Sequence, residues 1–273
     1  ILMDNSLRRL SKVKSTLASR LGECVDPWPS EKIDAHLNLG FDTYWLNFDM
    51  DRLVRNANLI RRAEENGDKL VVSAALLSEK DAVEVIIFTP DHPGLFAKIA
   101  GAIASMGASI VDAKIVTLST GMAFDTFWVR ESNNNILLEK TYLDKLCAGI
   151  KNTLLGISSR KCDPRKDKGI APKNNTSIFN VPNRVLIDNK ASNTHTIIEI
   201  NAGDRPGFLQ DVTELITKSG LQISSAHIST YGERVVDVFY VKDVFGLKVE
   251  NETKKNKVRK NLLSIATNDL STS

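Results

Sequence analysis

Two short runs in the 273-residue chain carry residue types suited to holding a small anion: Asp91-His92-Pro93-Gly94 and Asp204-Arg205-Pro206-Gly207. In each, proline presets φ for the first turn of a helix, and glycine removes a side chain so that backbone N–H groups can approach a neighbour closely. The positive end of the helix then favours negative charge. Such a run also has a plainer use, as a turn in which Asp caps the helix and Pro-Gly makes the bend. Two features go beyond a plain turn. The run occurs twice, and each time it follows a strand pattern and opens a helix that returns through Gly107 or Gly220 into a second strand. Loop and second strand are therefore expected to line one crevice, formed by Asp91, Gly94, Leu95, Ser109 and Ile110 in one instance and by Asp204, Gly207, Phe208, Gln222 and Ile223 in the other. A free amino acid suits such a crevice. Its carboxylate meets the N–H groups near Gly94-Leu95 and Gly207-Phe208, and its ammonium meets carbonyls or the carboxylates of Asp91 and Asp204.

The other chemistry-bearing residues do not assemble into catalytic patterns. Asp125 and Asp237 lie in AFDTFWV and VVDVFYV, runs apolar on both faces, so these strands are expected to be covered by helices on one side and by another domain on the other. A half-buried carboxylate there needs a partner within the sheet or at a domain junction more than it needs a ligand. His36, His92, His195 and His227 have no metal-ligand spacing and no following Asp, which leaves neither a HExxH site nor a His-Asp hydrolase pair. Asp49-Met50-Asp51 offers paired carboxylates for Mg²⁺, but without a Gly-Ser phosphate loop upstream both read as acids at a helix start. GxSxG, phosphate-loop and dinucleotide fingerprints are absent. The expectation is no catalytic and no metal-ligating residue in this chain.

The elements that must position the two loops follow from periodicity. Over residues 1–80 the pattern is helical: Leu7, Leu10, Val13, Leu17 and Leu21 make one stripe, Ser30 caps a short helix bearing Ile33 and Leu37 that Gly40 ends, and Leu53, Ala57, Ile60 and Ala63 mark a third helix that Gly67 stops. From residue 83 the period changes to strand, helix, two strands joined at Thr120-Gly121, and a long helix ending near residue 157. Residues 158–178, rich in Lys, Arg, Asn, Ser and Pro, read as a mobile connector whose six basic residues serve solvation. FNVPNRVLIDN reads as one more strand, restricted to an edge by Pro182.

The pattern then repeats. At an offset of 113, DHPGLFAKIAGAIASMGASIVDAKIVT aligns with DRPGFLQDVTELITKSGLQISSAHIST, pairing Asp91 with Asp204, Gly94 with Gly207, Gly107 with Gly220, Ala113 with Ala226 and Thr117 with Thr230. One deletion later, Asp125 pairs with Asp237. The organisation expected is a helical segment over 1–80, one βαββα repeat within 81–190 and a second within 194–270, in an α+β fold.

The balance of 36 basic and 33 acidic residues, +3, calls for neither nucleic acid nor a membrane surface as partner. Cys24, Cys147 and Cys162 are scattered and odd in number, which excludes a disulfide framework and fits a reducing cytoplasm. No stretch has the apolar length of a membrane span or of a signal peptide core. Ile1 in place of an initiator Met suggests a part of something longer.

The two repeats, most specifically GERVVDVFYVKD, resemble ACT domains, small ferredoxin-like modules that bind amino acids, and in tandem they resemble the C-terminal pair of the bacterial PII uridylyltransferase/uridylyl-removing enzyme family. YWLNFDMDRLVRNANLIRRAEENG is similar to the region just before that pair, so the resemblance covers nearly the whole chain. It implies a βαββαβ fold, ligand at ACT interfaces, glutamine as the sensed metabolite and the PII signal protein as the parent's substrate, with Mg²⁺ and UTP used by the parent and no cofactor in this chain. Both catalytic motifs of the family are missing here, which implies a regulatory region inactive alone. After the last helix, KKNKVRKNLLSIA, only a polar tail remains, so the second repeat is expected to lack its final strand or to borrow one. Two rival readings stand beside this one: a stand-alone amino-acid-binding protein, and an RNA-binding module, since RNA-recognition domains share the βαββαβ order and GMAFDTFWV echoes their aromatic strand. Asp125 and Asp237 lie where phosphates would pass and weigh against RNA.

Overall fold

The computed structural model describes residues 2–40, 42–77, 82–131, 140–157, 182–205, 207–231 and 234–267. The connector expected over 158–178 lies outside the described residues. The chain divides into two compact units.

The first unit comprises residues 1–71, 87–91 and 116–124. Its helices are α1 (Leu2–Gly22), α2 (Ser30–Leu37), α3 (Asp42–Asn47) and α4 (Met50–Asn66). The stripes predicted from spacing bury Leu17, Leu21, Leu53, Ala57 and Ile60 almost completely. Pro29 occupies the N-cap of α2 without a side-chain hydrogen bond, so Ser30 is the first helical residue rather than the cap. The Asp49 side chain caps α4 by accepting from the Arg52 N–H at 2.9 Å, and left-handed Gly67 closes it. The core is aromatic. His36 lies edge-on to Trp28 and Trp45, and Tyr44 packs on Trp45, Phe48 and Phe124. Arg61 lies over the Trp28 ring and pairs with Asp26 and Glu65.

The second unit comprises residues 72–86, 92–115 and 125–273. Eight strands form one sheet in the order β1-β2-β4-β3-β7-β8-β6-β5, with β1 (Val71–Leu77), β2 (Ala82–Pro90), β3 (Ala108–Lys114), β4 (Met122–Glu131), β5 (Arg184–Asp188), β6 (Thr196–Gly203), β7 (Leu221–Tyr231) and β8 (Arg234–Asp243). The helices α5 (Leu95–Ser105), α6 (Lys140–Leu154), α7 (Phe208–Lys218) and α8 (Glu252–Thr267) pack in the order α6-α5-α7-α8.

Two strand assignments correct the sequence reading. Val71–Leu77, inside the segment read as helical, is β1 beside β2. Arg184–Asp188 pairs antiparallel with β6, so it completes the second repeat and not the first. Each repeat thus takes its outer strand from the chain that precedes it, giving the order ββαββα, and the second repeat lacks no strand. The strand a βαββαβ unit would add at its C-terminal end is supplied in advance, which is why only a polar tail need follow α8. The repeats also differ in cover. Residues 123–129 of β4 are buried at every position, as expected for a strand covered on both faces, whereas β8 alternates, with Val236, Val238 and Tyr240 half-buried.

Candidate functional site

The two DxPG loops fold alike. Gly94 (φ 83°, ψ 4°) and Gly207 (φ 78°, ψ 1°) take left-handed backbone at the N-caps of α5 and α7, a conformation that L side chains avoid. The N–H groups of Leu95 and Phe208 each donate to the carbonyl three residues back, His92 and Arg205, at 3.1 Å. The glycines are the caps and no side chain bonds there, so the plain-turn role of Asp91 or Asp204 as N-cap does not apply. Leu95 and Phe208 anchor the helix starts in the core at 4% and 2% exposure.

Around this shared backbone the side chains differ. In the first repeat, Asp91 donates its N–H to the Gly121 carbonyl at 3.0 Å, and its carboxylate accepts from Thr117 Oγ1 at 2.5 Å. In the second repeat, Arg205, the only cation in the loop, is committed to Asp211 at 2.7 Å and lies over the Phe208 ring. Partial burial pushes the Asp204 carboxyl above the usual carboxylate range, moderated by the Arg205 backbone N–H.

Strand register separates the residues expected to share a crevice within one repeat. Gly203, at the loop, pairs with Arg234 at the start of β8, while Gln222 and Ile223 pair with Lys242 and Val241 near its end. Seven or eight residues of strand, roughly 25 Å, lie between. Likewise Ser109 and Ile110 pair with Arg130 and Val129 at the far end of β4. The α-helix returns the chain to the opposite end of the sheet before the second strand begins, so loop and strand start cannot line one crevice in the same repeat.

The pairing between repeats supplies a different juxtaposition. β3 and β7 run antiparallel with Asp112 opposite His227, Ala113 opposite Ala226 and Lys114 opposite Ser225. Ala113 and Ala226 are the equivalent residues of the two repeats, so the seam carries a local two-fold axis. Through this seam the second repeat adjoins β3 of the first.

One further residue belongs to this end of the sheet. Asp237, three residues along β8 from Arg234, pairs with Ile200 on β6 and Ile228 on β7 and is 1% exposed. Neither of its carboxylate oxygens meets a donor in full hydrogen-bond geometry among the described residues, and the donor that acts on it is the Ser229 backbone N–H. Burial pushes its carboxyl up to about 7; the Ser229 amide pulls the other way, and the negative charge of Asp204 adds to the rise. The sequence marked Asp237 as a strand carboxylate in need of a partner, and the sheet offers it the Ser229 amide alone. Its counterpart Asp125 is equally buried. Among the described residues no group of three or more His, Cys, Asp or Glu side chains converges as a metal ion requires, and no helix is long and apolar enough to cross a membrane.

Residues 191–269 match the model of the ACR family N-terminal ACT domain. The chain is 44% identical over 243 residues to the bifunctional uridylyltransferase/uridylyl-removing enzyme of Gluconobacter oxydans, covering 88% of this chain and 25% of that protein. It is 45% identical over 258 residues to the enzyme of that name from Azospirillum brasilense, covering 94% and 27%. For that of Rhodospirillum rubrum the identity is 41% over 255 residues, covering 93% and 27%. The chain thus spans about a quarter of the length of these relatives, and the ACT match fits a C-terminal region of such an enzyme.

Proposed function

We propose, from its homology to a segment of bifunctional uridylyltransferase/uridylyl-removing enzymes, that this chain is the amino-acid-sensing regulatory region of such an enzyme. In this reading both repeats are ACT domains, glutamine is the effector, and its binding controls uridylyl transfer to and removal from the PII signal protein by the rest of the enzyme. The observation that carries the reading is the pair of left-handed glycine caps on two repeats that share one sheet through equivalent strands. A helix start stripped of side chains suits a carboxylate, and a neighbouring Asp suits an ammonium, which together are the two charges common to every free amino acid. Glutamine is the choice among amino acids that the family resemblance implies.

Titration calorimetry of this chain with L-glutamine, with L-glutamate as comparator, tests the reading. Saturable binding of glutamine, with glutamate weaker by tenfold or more, is the expected result; absence of heat and of any glutamine-dependent rise in melting temperature overturns it. Mg²⁺ and UTP belong, in this reading, to the catalytic part of the enzyme. Incubated with PII, UTP and Mg²⁺, this chain alone is expected to give no uridylylated PII by mass spectrometry.

A further inference from the structure

The two repeats offer an amino acid different receptions. In the first, one oxygen of the Asp91 carboxylate accepts from Thr117 Oγ1 at 2.5 Å, and the strand carboxylate Asp125 is buried with an interaction of its own. In the second, the strand carboxylate Asp237 is 1% exposed with neither oxygen in a well-formed hydrogen bond and only the Ser229 amide acting on it, set in the row Ile200-Asp237-Ile228 and near enough to Asp204 for the two charges to act on each other. A buried carboxyl served by a single backbone amide is costly, and such groups are retained where something else supplies further donors. The cation of the loop, Arg205, pairs with Asp211. We propose that the ammonium group of the amino acid effector is received by Asp237 together with Asp204 at the head of α7, which makes the second repeat the effector site and leaves the first as its structural neighbour.

This inference rests on the amino-acid-sensing reading above and deepens it by assigning a repeat and the group that reads the ammonium. Its chemistry is a charge-assisted hydrogen bond from an N⁺–H to a carboxylate inside a poorly solvated site, the class of contact that costs most to remove. Asp237 fixes the ammonium end, and beyond the Phe208 N–H, which is bonded to the Arg205 carbonyl, the left-handed cap at Gly207 leaves the N–H groups of Leu209 and Gln210 for the carboxylate end.

The test is calorimetry on the full chain with two ligands, L-glutamine and its analogue lacking the amino group, 4-carbamoylbutanoate. Wild type is expected to bind glutamine and to lose roughly tenfold or more on removal of the amino group. Asp237→Asn is expected to lose a similar factor for glutamine and to become nearly indifferent to the amino group, while Asp91→Asn stays within about twofold of wild type. Asp204→Asn gives the same readout should Asp237→Asn fail to fold. If wild type binds no glutamine, the functional reading falls and this inference with it. If wild type binds glutamine but the folded Asp237 variant still discriminates the amino group as wild type does, or if Asp91→Asn abolishes binding, the reading stands and the assignment to Asp237 is overturned.

Discussion

Two buried titratable residues set opposite pH responses. His36, 3% exposed between Trp28 and Trp45, has both ring nitrogens unpartnered, and burial lowers its pKa from 6.5 to about 4. The folded state holds it neutral while the unfolded chain takes up a proton near 6.5, so its effect is absent above that pH and stability falls as pH drops toward 4. At pH 5 the penalty is about 2 kcal/mol. His36→Phe is expected to lose this part of the slope, read as the difference in urea midpoints between pH 7 and pH 5 for variant and wild type. Asp237 works the other way. Its folded value near 7 lies above the ordinary 3.8, so the unfolded chain ionises first, and the penalty grows as pH rises from about 4 to 7 and is complete beyond. Asp237→Asn should therefore gain stability relative to wild type on going from pH 5 to pH 8, by on the order of a few kcal/mol, in thermal melts at the two pH values. An equal offset at both pH values would mean that Asp237 is already charged in the fold.

At the scale of elements, the ends of helices decide two outcomes. The Asp49 carboxylate caps α4, and Asp49→Ala is expected to cost about 1 kcal/mol in chemical denaturation. A Cβ at Gly94 would meet nothing within 4 Å, so Gly94→Ala is penalised by its backbone alone, at φ 83°, by roughly 1 kcal/mol. The same helices show what the sequence could and could not reveal. α1, α4, α5 and α7 were legible because a stripe of apolar residues at steps of three and four has no other periodicity. β1 was not, since VVSAALL is short, non-alternating and adjacent to helices, and only its place beside β2 makes it a strand. β5 was visible as a strand, but a strand's partner is a tertiary choice that no local pattern records. The candidate loops were legible from their repetition. That Gln222 and Ile223 sit at the far end from Asp204 follows from helix length and register, and the sparse partnering of Asp237 depends on which groups the folded sheet brings near it.

At the scale of the whole chain, the seam between β3 and β7 joins the repeats into one hydrogen-bonded sheet. Ala226, 1% exposed, lies opposite Ala113 on one side and Phe239 on the other. Ala226→Leu is expected to overpack the seam at a cost of roughly 1–3 kcal/mol, and hydrogen exchange should quicken in β3 as well as in β7. Protection lost in β7 alone would show that the seam transmits nothing.

A seam in which equivalent residues face each other is also one that two identical domains could have formed between separate chains. Joining them in a single polypeptide raises their effective concentration, so the pairing no longer depends on how much protein is present. It also releases the two halves from identity. In a dimer of identical chains any change to one loop is made in both, whereas here the Asp91 loop can be tied down by Thr117 while Asp237 is left open in its twin. The covalent link lets a symmetric assembly be specialised one side at a time.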